Sequence, residues 1–366
     1  MADASAEERI SVASNWRLVW WRFRGHRLAV ASTVLLLGFY TIVLCPDFFS
    51  TQDPEATDAR LAFIPVQRVR LLDGWVPRPW VPGIIGKRNP TTLRMEWRLD
   101  EARRVPVRFF VSGYPYRLLG LVPTRVHLLG AAPDAAGGLH LLGTDRLGRD
   151  VMSRIFYGAR ISLTIGLLGI FISFALGLLF GGIAGYFGGL PDTIIQRVIE
   201  IIRSFPELPL WMALSAVLPV TWSPLLVYFG ITGILALLDW TGLARAVRSK
   251  LLALREEDYC TAARLMGASP KRIIGRHLLP GFMSHLIAAA SLSIPSMILG
   301  ETALSFLGIG LRPPITSWGV LLNEAQNINV VALYPWLMLP VLPVIVVILA
   351  FNFFGDGLRD AADPYR

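Results

Sequence analysis

Apolar residues arrive in long runs rather than at the alternating or every-third-to-fourth spacing of half-buried soluble elements. Runs of about 17–25 apolar residues suffice to cross a hydrocarbon layer of roughly 30 Å. Six of them are placed at about 28–45, 161–187, 192–219, 224–241, 284–308 and 333–354. The third is the weakest, because its strongly apolar part is short and Pro206 and Pro209 interrupt it. Membrane helices tolerate such breaks where neighbours satisfy the freed backbone groups, so a kinked helix is predicted there. The fold class that follows is an all-α polytopic membrane protein with six transmembrane helices. The segment 46–140, between the first and second runs, is polar and proline-rich, with alternating pieces such as VPVRFF at 105–110. It predicts a separate small insertion of mixed short strands and loops. Trp75, Trp80 and Trp97 supply aromatic area for a small core or a partner surface.

The domain map is therefore a tail at 1–27, a first transmembrane helix at 28–45, the insertion at 46–140, and the remaining transmembrane domain at 141–366 with a basic loop at 242–283. That loop carries eight basic residues and the tail five arginines, whereas 309–332 has only Arg312. The positive-inside rule puts the 242–283 loop and both termini in the cytoplasm, and hence the insertion outside, in the periplasm. The basic residues of 46–140 do not oppose this, since long loops translocate largely regardless of charge. The first apolar run is longer than a signal-peptide core and lacks a small-residue cleavage site, so it reads as a retained helix.

Composition agrees with a membrane bundle. Hydrophobic residues make up 54% of 366 residues, and mean hydropathy is +0.53. The net charge of +9 would raise nucleic acid in a soluble protein. Here the charge flanks apolar spans and sets orientation against membrane lipid, so no nucleic-acid partner is expected. Two cysteines, Cys45 and Cys260, exclude a disulfide framework. Gly86-Lys87 is followed by Arg88, so no phosphate-binding Gly-Lys-Ser/Thr loop is present. His26, His127, His140, His277 and His285 are scattered, with no zinc-ligand spacing. The chain is expected to be a non-enzyme, with no metal and no cofactor of its own.

Three features point to mechanism. Gly169, Ser173, Gly177, Gly181, Gly185 and Gly189 recur every fourth residue, a stripe along which helix backbones can approach closely in lipid. Ionisable residues inside spans are functional candidates by default, here Glu200, Glu207, Asp239 and Glu301. Asp239 and Glu200 also fit a place near the cytoplasmic interface. Glu301 is the candidate for a translocation path, with an internal hydrogen bond to a neighbouring helix as the competing reading. The basic loop reads EDYCTAARLMGASPKRIIGRHLLP over 257–280. It predicts a helix at 258–266 closed by Gly267, then a turn at Ser269-Pro270 and a second helix opened by that proline. Such a compact hairpin on the cytoplasmic face is a contact surface.

This loop resembles the coupling loop of ABC importer permeases, with matches at Ala262, Ala263, Gly267, Leu279 and Pro280. It departs from the pattern at Thr261 and His277, and Asp258 adds acidity beside Glu256 and Glu257. LGTDRLGRDVMSRIFYGARISL (142–163), GETALSFLGIGLRPPITSWG (300–319) and AFNFFGDGLRDAADPYR (350–366) resemble segments of C-type dipeptide and oligopeptide permeases. The resemblance covers the first span and 142–366. The longer insertion is similar to that of an extended subgroup. What the resemblance implies is a type I ABC importer fold and one half of a heterodimeric path completed by a sister permease. It also implies two cytoplasmic ATPase subunits that bind ATP and Mg, and a periplasmic or lipid-anchored substrate-binding protein. Peptide is the implied cargo, with nickel, opines or modified peptides as alternatives. A secondary transporter would need an internal repeat, and none stands out.

Overall fold

The computed structural model describes residues 15–72, 76–91, 95–131, 138–219 and 221–362. Trp75 lies outside the described residues. Among the described residues, five helices are long and apolar enough to cross a membrane: Arg27–Leu44, Val151–Phe187, Pro224–Leu254, Pro270–Phe306 and Pro335–Ala362. In chain order the helices are α1 (Asn15–Gly25), α2 (Arg27–Leu44), α3 (Pro46–Phe49), α4 (Val151–Phe187), α5 (Gly189–Ser204), α6 (Glu207–Ala216), α7 (Pro224–Leu254), α8 (Asp258–Leu265), α9 (Pro270–Phe306), α10 (Trp318–Ala325), α11 (Ile328–Leu333) and α12 (Pro335–Ala362).

The third expected span is two separate helices, α5 and α6, not one kinked helix. Phe205 (φ −93°, ψ 143°) and Pro206 (φ −61°, ψ 133°) are extended between them. The physical reason is Pro206: it has no N–H to donate, and its ring drives the preceding residue out of the α region. Pro209 does no such damage, because it sits in the first turn of α6, where N–H groups are unpaired in any case. At 16 and 10 residues, neither helix reaches the length of a span.

The chain divides into two compact units. The first holds residues 15–37, 164–304 and 345–362 among those described. Its interior is helix on helix. The C-terminal half of α4 lies against α7 along the small-residue stripe: a Cβ on Gly177 would meet Leu243 and one on Gly185 would meet Leu251, while one on Gly181 would stand 2.5 Å from the Ala244 carbonyl oxygen. Gly166 and Gly169 instead face Ile298 and Met297 of α9. Gly189 is not part of the stripe: α4 ends at Phe187, and Gly188 and Gly189 turn the chain into α5. The amphipathic α1 is held by Phe23, which packs with Ala29 and Ala361 and meets the Phe354 ring edge-on at 5.8 Å.

The second unit holds Gly38–Leu163 and Ser305–Val344. It contains a three-stranded antiparallel sheet of β1 (Trp80–Arg88), β2 (Met95–Leu118) and β3 (Val122–Ala131), in the order β1-β2-β3. The strands are not all short. β2 runs for 24 residues because it serves two partners in succession: Met95 to Pro106 pairs with β1, and Val107 to Leu118 pairs with β3. The alternating VPVRFF piece lies at this changeover. Val81, Val105, Val107 and Leu139 form the small core beneath it. Two of the tryptophans flagged in the sequence serve this unit. Trp80 is buried, donates its indole N–H to the Leu72 carbonyl at 2.9 Å, and is flanked by the Arg70 and Arg104 guanidiniums. Trp97 donates to the Ala62 carbonyl at 2.7 Å.

Candidate coupling surface and intrabundle cavity

The basic loop is shorter than the sequence suggested, because α7 continues as helix to Leu254. What remains is a hairpin of α8 and the start of α9. Glu257 precedes α8 in an extended conformation, and Asp258 opens its first turn. The helix closes on Gly267 at φ +78°. The Gly267 N–H reaches the Arg264 carbonyl and the Ala268 N–H the Ala263 carbonyl, each at 3.0 Å. That pair of bonds is the Schellman closure, which requires a left-handed residue and so favours glycine. Ser269 then caps α9, its hydroxyl accepting from the Arg272 N–H at 3.4 Å, with Pro270 at the first helical position. The turn Ile273–Leu278 widens into π-helix, and Phe282 (φ −129°) leaves the helical region. Leu279 and Pro280 lie between these two irregularities. The hairpin thus connects to the membrane-length part of α9 through a deformed joint rather than a straight rod.

The two faces of α8 differ. Cys260 and Ala263 are buried with Ile273, Leu278, Phe282 and Leu286 of α9 and with Leu243, Val247 and Leu251 of α7. This cluster fixes the hairpin to the bundle. The opposite face and the tip are exposed: Asp258, Ala262 and Gly267, with Tyr259, Leu265 at 85% and Met266 at 82%; Pro280, on α9 beyond the π-helical turn, is exposed as well. Of the two alanines matched in the sequence, only Ala262 faces outward. Tyr259, Leu265 and Met266 were not singled out from the sequence, although three large apolar residues beside an otherwise charged run were the available signal.

Within the same unit, a cavity of ≈ 220 Å³ is lined by Arg203, Glu207, Trp211, Asp239, Thr241 and Ser296 among others. Arg203 donates through Nε to the Thr241 hydroxyl at 3.2 Å. Asp239 accepts from the Ser173 hydroxyl at 2.9 Å, so the stripe residue Ser173 carries a polar contact rather than pure packing. The Trp211 indole N–H is buried with no partner. One guanidinium, two carboxylates and an open indole donor form a mixed polar wall in an apolar bundle. Glu200 is elsewhere, exposed and paired with Arg197 at 2.8 Å. Glu301 is fully buried, outside the residues lining this cavity, and makes its interactions within the fold. No group of three or more His, Cys, Asp or Glu is placed to hold a metal among the described residues.

In the second unit, the LGTDRLGRDVMSR segment folds into a buried ionic cluster. Asp145 accepts from Arg149 Nε and from Arg154, each at 2.7 Å, and Glu324 on α10 accepts from Arg149 at 2.9 Å and from Arg154 at 2.6 and 3.1 Å. Burial pushes the Glu324 carboxyl up, but the Arg154 and Arg149 guanidiniums against it override that and hold it below the usual carboxylate range. Asp150 caps α4, accepting from the Ser153 N–H and hydroxyl at 2.8 and 2.7 Å, and also meets His140 Nδ1 at 3.1 Å.

Residues 177–365 match the family described as the binding-protein-dependent transport system inner membrane component. The chain belongs to that family. Residues 14–65 separately match the N-terminal TM domain of oligopeptide transport permease C. The chain is 39% identical over 226 residues to the dipeptide transport system permease protein DppC of Bacillus subtilis (strain 168), covering 62% of this chain and 68% of that one. It is 38% identical over 239 residues to the oligopeptide transport system permease protein OppC of Haemophilus influenzae, covering 65% and 74%. Among solved structures, the MetNI methionine ABC transporter in an inward-facing conformation aligns with 58% of this chain and 97% of its own, at 19% identity and a TM-score of 0.45. The fold is that of an inner-membrane transport component, a multi-pass helical bundle with a small sheet-bearing insertion.

Proposed function

We propose that this chain is one permease subunit of a peptide-type ABC importer, pairing with a sister permease, two cytoplasmic ATPase subunits and a substrate-binding protein. ATP and Mg belong to the ATPase subunits. The observation that carries the reading is the two-faced hairpin: its inner side is packed into the bundle through Cys260 and Ala263, while Tyr259, Leu265 and Met266 stand exposed. A knob with an apolar tip and a surround of mixed charge fits a groove on a soluble partner, and its joint at Ile273–Phe282 leads into a membrane-length helix. Closure of the ATPases would then displace the hairpin and bias the bundle between two states, which is how a ligand shifts a bistable structure. Peptide as cargo rests on the relatives named above.

The cavity around Asp239, Glu207 and Arg203 is the candidate lining of the path, in preference to the fully buried Glu301. The insertion, on the outer side by the positive-inside argument, is the candidate receiver of the binding protein. The test is reconstitution of the five-component complex in proteoliposomes. Hydrolysis of ATP should rise when peptide-loaded binding protein is added, with peptide accumulating inside. Uptake of peptide without ATP, or without the ATPase subunits, would overturn the reading in favour of a secondary transporter.

A further inference from the structure

Phe109 and Phe110, near the changeover of β2, are 60% and 67% exposed. A regular strand sends neighbouring side chains to opposite faces. Phe109 has the same parity as Val105 and Val107, which are buried, yet it stays exposed outside the core they form, although its cross-strand partner Leu129 packs on that core. Phe110 has φ +55°, a conformation that bulky residues rarely adopt. Backbone strain of this kind persists where the surroundings require it and concentrates at functional positions. The result is an exposed aromatic pair, preceded by the exposed Arg108.

What lies beside the pair identifies its surroundings. The Phe110 ring is 6.3 Å from Phe48, Phe48 is 5.3 Å from Phe49, and Phe49 is 6.3 Å from Phe156. Phe48 and Phe49 belong to α3, which begins two residues after the first span ends at Leu44, itself 65% exposed. Phe156 lies in the second turn of α4, another membrane-length helix. The aromatic chain therefore runs from Phe110 to the C-terminal end of one membrane-length helix, α2, and the N-terminal end of another, α4. A polar boundary stands next to it: the Asp47 carboxylate accepts from Tyr157, and the Asp47 carbonyl meets His127 Nδ1 at 2.7 Å.

We propose that Phe109 and Phe110 are an interfacial anchor, two rings seated at headgroup depth in the bilayer that fix the sheet-bearing unit to the membrane surface. Elements that lie on a membrane surface bury Trp, Phe and Leu side chains roughly 5–10 Å deep, at the boundary of headgroups and acyl chains, and an arginine beside them keeps its charge among the phosphates while its stem covers apolar surface. The anchor adds a lipid contact on the sheet itself, beside the ends of α2 and α4. It rests on the family assignment and not on the nature of the cargo.

The experiment uses the assembled complex in nanodiscs of phosphatidylethanolamine and phosphatidylglycerol. Cys45→Ala and Cys260→Ala remove the native thiols of this chain. Phe109→Cys and Phe110→Cys are made singly, so that one ring always remains, and each is spin-labelled. Collision with oxygen, which partitions into lipid, is compared with collision with a water-soluble nickel chelate. Leu35→Cys in the first span and Ile85→Cys on β1, where the side chains are 43% and 50% exposed, give the lipid and water references. The expected oxygen-to-nickel ratio at both positions is several-fold above that of Ile85→Cys and below that of Leu35→Cys. A ratio equal to that of Ile85→Cys would overturn the proposal. Poor access by both probes would also overturn it, and would assign the pair to a protein partner such as the sister permease.

Discussion

Arg154 and Glu324, 170 positions apart in sequence, share hydrogen bonds of 2.6 and 3.1 Å, with side chains 2% and 12% exposed. Around them Asp145 and Arg149 complete a four-residue cluster that ties the start of α4 to α10. Removing one member strands a buried charge. Replacing Glu324→Ala should destabilise the second unit by about 3 kcal/mol, the low end for a broken buried pair, because Asp145 still faces both arginines. Protection of the 142–163 segment from hydrogen exchange measures it.

The same carboxylate gives a pH dependence. Its folded pKa is depressed, so its stabilisation is fully present above the unfolded value of about 4.3 and is lost as pH falls through the lower folded value. Acid titration of the same exchange protection should show a fall on that limb for the native chain. With Glu324→Gln the contribution of this group to the fall should vanish; an unchanged acid limb would show that Glu324 carries none of it.

Gly181 and Gly182 are neighbours with opposite demands. A Cβ at Gly181 would meet the Ala244 carbonyl oxygen at 2.5 Å and Val247 Cβ at 2.8 Å, while one at Gly182 finds nothing nearer than 3.8 Å. Gly181→Ala must push α4 from α7 and should cost about 1–3 kcal/mol. Gly182→Ala should be neutral or stabilising by up to about 1 kcal/mol. Thermal unfolding of the detergent-purified complex separates them, and equal midpoints would contradict the close packing.

The two faces of α8 should fail differently. Ala263→Arg places a charge in the cluster of Cys260, Ile273 and Leu278 and should unfold the hairpin. Leu265→Asp with Met266→Asp alters only exposed side chains and should leave melting unchanged while abolishing co-purification with the ATPase subunits. Gly267→Asp should lie between, at about 1–2 kcal/mol for the left-handed conformation. Retained ATPase binding in the double aspartate variant would rule out this tip as the contact.

Sidedness has its own measurement. Ser269 and Ile85 are both exposed. In intact cells, a cysteine at Ile85 should react with a membrane-impermeant maleimide, and one at Ser269 only after the membrane is opened. Reaction of both from the same side would overturn the orientation that places the hairpin in the cytoplasm.

Five spans were legible because their apolar runs are longer than any soluble element needs, and lipid as a solvent leaves few other structures for such runs. The hairpin was legible for a similar reason: Gly267, Ser269 and Pro270 act on their own backbone, so their effects follow from local chemistry. The third run, where the sequence predicts a kink, divides into two helices because Pro206 removes a hydrogen bond and forces Phe205 out of the helical region. Other features depended on partners distant in sequence. Nothing in LGTDRLGRD announces that its charges will close on Glu324, and nothing in the spacing of Ala262 and Ala263 says which of them faces inward. Nor does a lone acidic residue reveal whether it will line a cavity, as Asp239 does, or be enclosed, as Glu301 is. The sequence by itself determined the membrane-length helices, the local turns and the polar insertion, because solvent transfer and backbone sterics act on each segment alone. Only the tertiary structure decided which charges pair, which face of α8 is free and where the intrabundle cavity lies, because burial and ion pairing are properties of segments brought together.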